Sequence, residues 1–401
     1  MNIYREISTH IRSFPTTFWV VIAATLMNQA GNMALVFLIV YLHEALKFSL
    51  GYASFGFATF SSCMLISGIV GGGIIDRFGP ARVIVCSLFA NGLVLMTFPF
   101  LHQYIIVLIA CMCWGFCFGL YRPASQTLVS HLSLPGLHKI TFSVYRLAIN
   151  LGMSIGPAVG GYLAYHSFSA IFFANGIANI LAVTIFFFGL FKTPWFYSTV
   201  ESTKKGLSLK WLKYDMALRV FVLGMVPVSI VFFQHESTLA VFLSQNLGFS
   251  LGFYGILFTI NTLLIVFCEL PLNVATINWT YRTNFVLGSF FITMGFAGLL
   301  FATKEWHVIL LTISWTIGEM ILYPAASSYI TEIAPENVRG TYMSLFATAS
   351  NTGMLIGPFG GALIMERFGA HGLWFACGVM GVISMSIYYW FLPAPSPPTL
   401  S

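Results

Sequence analysis

Runs of about twenty apolar residues recur along the whole chain, and their length decides what it can fold into. Hydrocarbon offers no water to peptide N–H and C=O groups, so a segment that crosses it must satisfy its own backbone as an α-helix or belong to a closed barrel. Runs lying within 17–42, 50–74, 82–101, 104–130, 140–165, 168–191, 217–244, 250–275, 283–302, 306–331, 340–365 and 371–392 predict twelve transmembrane helices in an all-α polytopic membrane protein. Only 7% of the 401 residues are charged, against roughly a quarter in soluble domains, so no separate soluble domain fits and most enzyme designs are excluded.

The motif content narrows the class further. No phosphate-cradling loop, metal-ligand spacing or nucleophile motif occurs, and Gly71-Gly72-Gly73 at the end of a span reads as helix packing. The seven cysteines lie in apolar stretches, and Cys111-x-Cys113 has neither zinc nor thiol-redox spacing. No catalytic residue, metal or cofactor is expected, and the energy source is expected to be an ion gradient. The net charge of +6 arises from 18 basic and 12 acidic residues spread along the chain, too dispersed to hold nucleic acid. The expected surrounding is the lipid bilayer, and the expected state is a monomer.

Short cytoplasmic loops accumulate Lys and Arg, and this sets an orientation. Arg5, Arg12, Arg77, Arg82, Lys139, Lys192, Lys204, Lys205, Lys210, Lys213, Arg219, Arg282 and Arg339 fall on the side of the amino terminus, against Lys47, Lys304 and Arg367 on the other. Both termini are therefore expected in the cytoplasm. Met1 to Pro15 carries no small-residue cleavage site after a short apolar region, so no removable signal peptide is expected. Residues 192–215 form the one long polar connection and are read as a cytoplasmic linker between six-helix bundles at 1–191 and 216–401.

The two halves repeat. Trp114 to Ala124 (W-G-F-C-F-G-L-Y-R-P-A) and Trp315 to Ala325 (W-T-I-G-E-M-I-L-Y-P-A) share Trp, Pro and Ala at an offset of 201 residues. The same offset carries Asn150 to Asn351, Gly152 to Gly353, Gly156 to Gly357, Pro157 to Pro358 and Gly160 to Gly361. Internal duplication of this kind marks transporters whose substrate path runs between two related bundles.

Between the second and third spans runs Gly72-Gly73-Ile74-Ile75-Asp76-Arg77-Phe78-Gly79-Pro80-Ala81-Arg82. It resembles the loop signature G-x-L-A-D-R-x-G-R-[KR] of the major facilitator superfamily, matching at Gly72, Asp76, Arg77 and Gly79, with Arg82 standing one residue beyond the missing bases. The resemblance implies a fold of two pseudo-symmetric six-helix bundles, and a gating role for Asp76 against the start of the eleventh helix. The alternative is a loop that only fixes topology. The corresponding stretch Val274 to Arg282 lacks the Gly and Asp, so the latch is expected to be one-sided. Gly152-x-x-x-Gly156-Pro157-x-x-Gly160 and its copy Gly353-x-x-x-Gly357-Pro358-x-x-Gly361 resemble the antiporter signature of the same superfamily. Such glycines give a neighbouring helix a flat face and the proline bends the segment, which implies a conformational role; packing alone also explains them.

Charged residues inside spans cost roughly 2.5–3.5 kcal/mol each at the centre on the insertion scale, so each needs a partner or a wet cavity. Arg122, Arg146, Glu236, Glu269 and Glu319 are of this kind. The resemblance implies proton coupling through Arg122, with a carboxylate pairing as the alternative, and places Glu319 on a cavity-lining helix as the leading proton site, with Glu236 and Glu269 as further candidates. Asn28, Asn32, Arg122, Arg146, Gln234 and His235 are candidate substrate contacts; the amides and His235 serve equally well as hydrogen bonds between helices.

The resemblance is closest to drug:proton antiporters of bacterial inner membranes, and implies proton-coupled efflux of an amphipathic small molecule by alternating access. The intramembrane arginines leave open proton-coupled uptake of an anionic or chelating metabolite such as a siderophore. A non-transporting receptor or scaffold is the remote alternative.

Overall fold

The computed structural model of the chain describes residues 14–134, 136–194, 209–236, 238–249 and 251–393. Arg5, Arg12, Lys204, Lys205 and most of the proposed linker lie outside the described residues. Within them the chain forms helices joined by short turns, with no strand. We number the columns α1 (Thr16–Gly31, continued by Ala34–Val40), α2 (Leu50–Phe78), α3 (Pro80–Thr97), α4 (Tyr104–Leu132), α5 (His138–His166) and α6 (Phe168–Leu190) in the first half. The second half holds α7 (Met216–Phe232, continued by Thr238–Val241), α8 (Leu251–Ala275), α9 (Tyr281–Ala297) and α10 (Glu305–Ile333), then α11 and α12, which together run Arg339–Phe391 and part at Gly369. Nine helical segments among the described residues, the last being Glu336–Phe391, are long and apolar enough to cross a membrane.

The 201-residue offset governs the helix boundaries as well as the motifs. It carries both ends of α4 onto both ends of α10, the start of α5 onto the start of α11, and the end of α6 onto the end of α12. It also relates two wide π-type turns, Tyr41–Ala45 and Phe242–Asn246, and the positive-φ residues that follow, Lys47 (60°) and Gly248 (70°). Two further reversals need glycine: Gly79 between α2 and α3 (φ 82°) and Gly369 between α11 and α12 (φ 72°).

The predicted spans 17–42 and 217–244 are interrupted. α1 stops at Gly31 and resumes at Ala34, because the N–H freed at Ala34 is taken by the Asn175 side chain of α6 at 3.2 Å. α7 tightens into a 3-10 turn over Phe233–Glu236 at the equivalent depth.

The glycine strings face inward within each half. A methyl built on Gly152 would stand 2.8 Å from Ala30 N of α1, and one on Gly353 2.9 Å from Ile230 N of α7. These glycines therefore pack α5 closely on α1 and α11 on α7 within each bundle. Pro157 and Pro358 lie in the same helical stretches.

One buried apolar cluster is shared by both halves. Its first-half members include Ile75, Leu128, Ile140 and Tyr145, near the ends of α2 and α4 and the start of α5, with others from α1, α3 and α6; they join Phe221, Tyr329, Tyr342 and Phe346 of the second half. A second cluster, including Tyr41, Phe60, Phe98, Trp114 and Phe172, has all its buried members in the first half, with Met354 at its margin. The halves are thus sealed together on the face that carries Asp76, while on the opposite face the first half keeps a core of its own.

Gly353→Val forces a side chain into the backbone of α7 and is expected to destabilise the protein by about 1–3 kcal/mol, the usual cost of overpacking. Gly73→Ala, with nothing within 4 Å of the added methyl, is expected to leave thermal unfolding in detergent unchanged.

Candidate functional site

Three of the in-span charges meet across the halves. Arg146 of α5 gives Nε to Glu269 Oε1 of α8 at 3.0 Å and Nη2 to Glu319 Oε1 of α10, also at 3.0 Å. A longer contact of 3.4 Å joins Nη2 to Glu269 Oε2. One guanidinium therefore spans two carboxylates, using the planar fork that a lysine lacks. Tyr323 lies under it, with the guanidinium carbon 5.1 Å from the ring centroid.

The two carboxylates are held differently. Glu269 is 1% exposed with both oxygens facing Arg146, and its helix is fixed by Asn273, whose amide donates to Glu269 O at 2.8 Å and Met320 O at 3.1 Å. Glu319 gives one oxygen to Arg146 and the other to Asn261 Nδ2 at 3.0 Å, and remains 10% exposed. Asn261 also donates to Thr316 Oγ1 at 3.1 Å, so the Glu319 end belongs to a polar strip on the facing sides of α8 and α10. The geometry makes Glu319 the more accessible of the two acids.

Arg122 stands apart from this triad. It is exposed although Tyr145, Tyr323 and Arg146 are its electrostatic neighbours, so its guanidinium faces an open space deep between the halves. Among the described residues no carboxylate lies within ion-pair distance of it. With both acids ionised, the four groups Arg122, Arg146, Glu269 and Glu319 sum to zero charge.

The other polar residues divide. Asn28 donates to Asn179 Oδ1 of α6 at 2.9 Å and is buried within the first half; Asn32 sits at the break of α1. Gln234 gives its amide protons to Ile230 O at 3.0 Å and Gly357 O at 2.7 Å and accepts from Thr238 at 2.7 Å, so it is committed to joining α7 and α11. Gln234 has its side-chain polar atoms committed to α7 and α11, and we leave it out of the substrate surface; Asn28 commits only its amide nitrogen, to Asn179. His235 is buried, with Nδ1 2.6 Å from Phe232 O and its ring stacked on Trp315. Glu236 is exposed, 4.0 Å from His235 Nε2; it does not join the Arg146 network.

On the sealed face Asp76 caps α11. Its Oδ1 accepts from Gly340 N at 2.7 Å, and its Oδ2 from Thr341 N at 3.0 Å and Thr341 Oγ1 at 2.5 Å. Three donors and the positive end of the helix dipole hold this anion. Gly72 lets the loop approach, since any side chain there would meet the Thr341 backbone. Arg77 is exposed and folds over Phe78, while Arg82 begins α3. Arg339 Nη1 lies 3.0 Å from His131 Nδ1, making a further crossing between the halves.

A one-sided latch does not describe this face. Lys139, at the start of α5, is buried and reaches the second half, donating to Thr276 Oγ1 at 2.6 Å, Thr276 O at 3.2 Å and Asn284 Oδ1 at 2.8 Å. In the sequence Lys139 looked like any other topology charge. Asn261 also escaped notice, although an amide two turns before Glu269 in an otherwise apolar run was a usable signal.

A helical protein in two like halves, with ionised side chains strung between them and polar contacts closing one face, is a membrane transporter of the two-bundle class. The Major Facilitator Superfamily model matches residues 21–242 and again 221–401, and the chain belongs to that superfamily. It is 26% identical over 357 residues to the uncharacterized MFS-type transporter YttB of Bacillus subtilis, covering 86% of this chain and 87% of that one. It is 22% identical over 319 residues to the quinolone resistance protein NorA of Staphylococcus aureus, covering 75% and 77%. The solved structure of the human organic anion transporter MFSD10 superposes with a TM-score of 0.78 over 93% of this chain and 99% of that one, at 14% identity.

Arg146→Ala would leave two carboxylates buried without their cation, and is expected to cost about 3–5 kcal/mol in stability. The triple variant Arg146→Met, Glu269→Gln, Glu319→Gln removes all three charges and is expected to recover most of that loss; differential scanning fluorimetry in detergent measures both.

Proposed function

We propose that the protein is a proton-coupled secondary transporter that exports an amphipathic small molecule by alternating access, acting as a monomer in a bacterial inner membrane with both termini in the cytoplasm. The observation that carries this reading is the single guanidinium of Arg146 shared between Glu269 and Glu319 across the two halves. A proton arriving at Glu319 removes one of its two anionic partners, so the strength of the crossing between the halves depends on protonation. Glu319 is the proton site, and Glu269 stays paired to hold Arg146 in place. The sealed Asp76 face is the cytoplasmic one, so the described state is open outward, where an exporter releases substrate and takes up a proton. Similarity to a quinolone resistance protein supports export as the direction.

A second reading is supported by Arg122, an accessible guanidinium with no acidic partner among the described residues. In that reading the cargo is an anionic or chelating metabolite taken up with protons, and Arg122 binds its carboxylate. Likeness in fold to an organic anion transporter is compatible with it.

In proteoliposomes, substrate movement is expected to follow an imposed pH gradient, and Glu319→Gln is expected to abolish that dependence while retaining binding. Transport indifferent to the gradient would remove proton coupling. Arg122→Ala is expected to weaken binding of carboxylate compounds by about tenfold or more, as loss of a charged hydrogen bond does, if the second reading holds; unchanged binding would eliminate it.

A further inference from the structure

The two crossings on the sealed face occupy equivalent places in the duplicated fold. The 201-residue offset carries Lys139 onto Gly340 and Ile75 onto Thr276, so both contacts join the end of an even-numbered helix in one half to the start of an odd-numbered helix in the other. Their polarity is opposite. At the first, the Asp76 carboxylate at the end of α2 accepts from N–H groups at the amino end of α11. At the second, the Lys139 ammonium at the start of α5 donates to the Thr276 carbonyl just past the carboxyl end of α8, where the helix leaves acceptors without internal partners.

We propose that Lys139 is the second latch of the transport cycle, a charge-reversed counterpart of the Asp76 latch, and a positioning residue that sets the balance between the sealed and opened states of this face. All three ammonium protons have an acceptor, and every acceptor belongs to the other half. Asn284 is oriented to accept one of them, because its amide nitrogen donates to Trp279 O and Thr280 O and so aims Oδ1 at Lys139. Because each latch grips a helix end and neutral groups, opening the face frees the ion to water and leaves no opposite charge stranded in the other half. Two such latches open and re-form without the penalty that a broken buried ion pair carries. The Val274 to Arg282 stretch needs no acid of its own, since the charge has moved to the other side of the contact.

The test is the separation of the halves on this face, read by double electron–electron resonance between spin labels at Leu134→Cys and Asn337→Cys, both at exposed positions, in a full-length chain with its native cysteines replaced. Lys139→Met is expected to raise the ratio of open to sealed molecules on the order of tenfold, as losing a charge-assisted contact does. Asn284→Asp gives the ammonium an anionic partner and is expected to lower the same ratio and slow turnover while substrate affinity stays the same. Thr276→Val, which removes one acceptor and keeps the lysine, gives a smaller opening and covers the case in which Lys139→Met does not fold. Lys139→Met with Asp76→Asn is expected to open the face further than either alone. Distance distributions unchanged by both Thr276→Val and Asn284→Asp would overturn the proposal. So would a Lys139→Met effect that Asp76→Asn already accounts for in full. The distance readout depends on neither proton coupling nor the identity of the cargo.

Discussion

A guanidinium inside a membrane protein needs either a partner or a wet cavity, and Arg146 takes its partners from the opposite half of the molecule. That one fact ties together much of what surrounds it. Two acids are needed because one fork faces two helices, and Asn261, Asn273 and Tyr323 are placed to support those acids and the cation between them. The attraction is strong because water is scarce, and any event that neutralises one acid is felt by both bundles together. In the proposed cycle, protonation of either acid and the relative placement of the halves are therefore one equilibrium.

The duplication supplies the scaffold, and departures from it supply the chemistry. Many helix ends, the π-type turns and the positive-φ pair Lys47 and Gly248 repeat at one offset, whereas the charges do not. Arg122 is matched by Tyr323, Arg146 by Ala347, and Lys139 by Gly340. Bases at the interface come mainly from the first half and acids from the second, so the halves attract where they face each other. Asp76 and Arg339 are exceptions; Asp76 engages backbone N–H groups in place of a side-chain cation, and Arg339 meets His131.

Much of this was legible in the sequence. Span lengths and the repeat define two six-helix halves, and the expense of charge in hydrocarbon singles out Arg146, Glu269 and Glu319 individually. Their association was not legible, because rotation about each helix axis and contacts between halves leave no periodic trace. The same ambiguity misplaced Gln234. An amide in a span either faces the path or bonds a neighbouring helix, and a few tens of degrees of rotation decide between the two. Lys139 was hidden for another reason: a lysine near the end of a span obeys the topology rule whether it reaches headgroups or a carbonyl in the other bundle.

The apolar cluster that runs through both halves on the sealed face differs in kind from the polar contacts around it. Its contribution is largely entropic near room temperature, carries a large heat-capacity change and weakens on cooling. Hydrogen bonds to Asp76 and Lys139 do not share that dependence. Unless the opposite face closes over an equal apolar area, the sealed state is the one of lower heat capacity. In the proposed alternating-access cycle, the preference for one face over the other then curves with temperature, even under conditions where no proton moves.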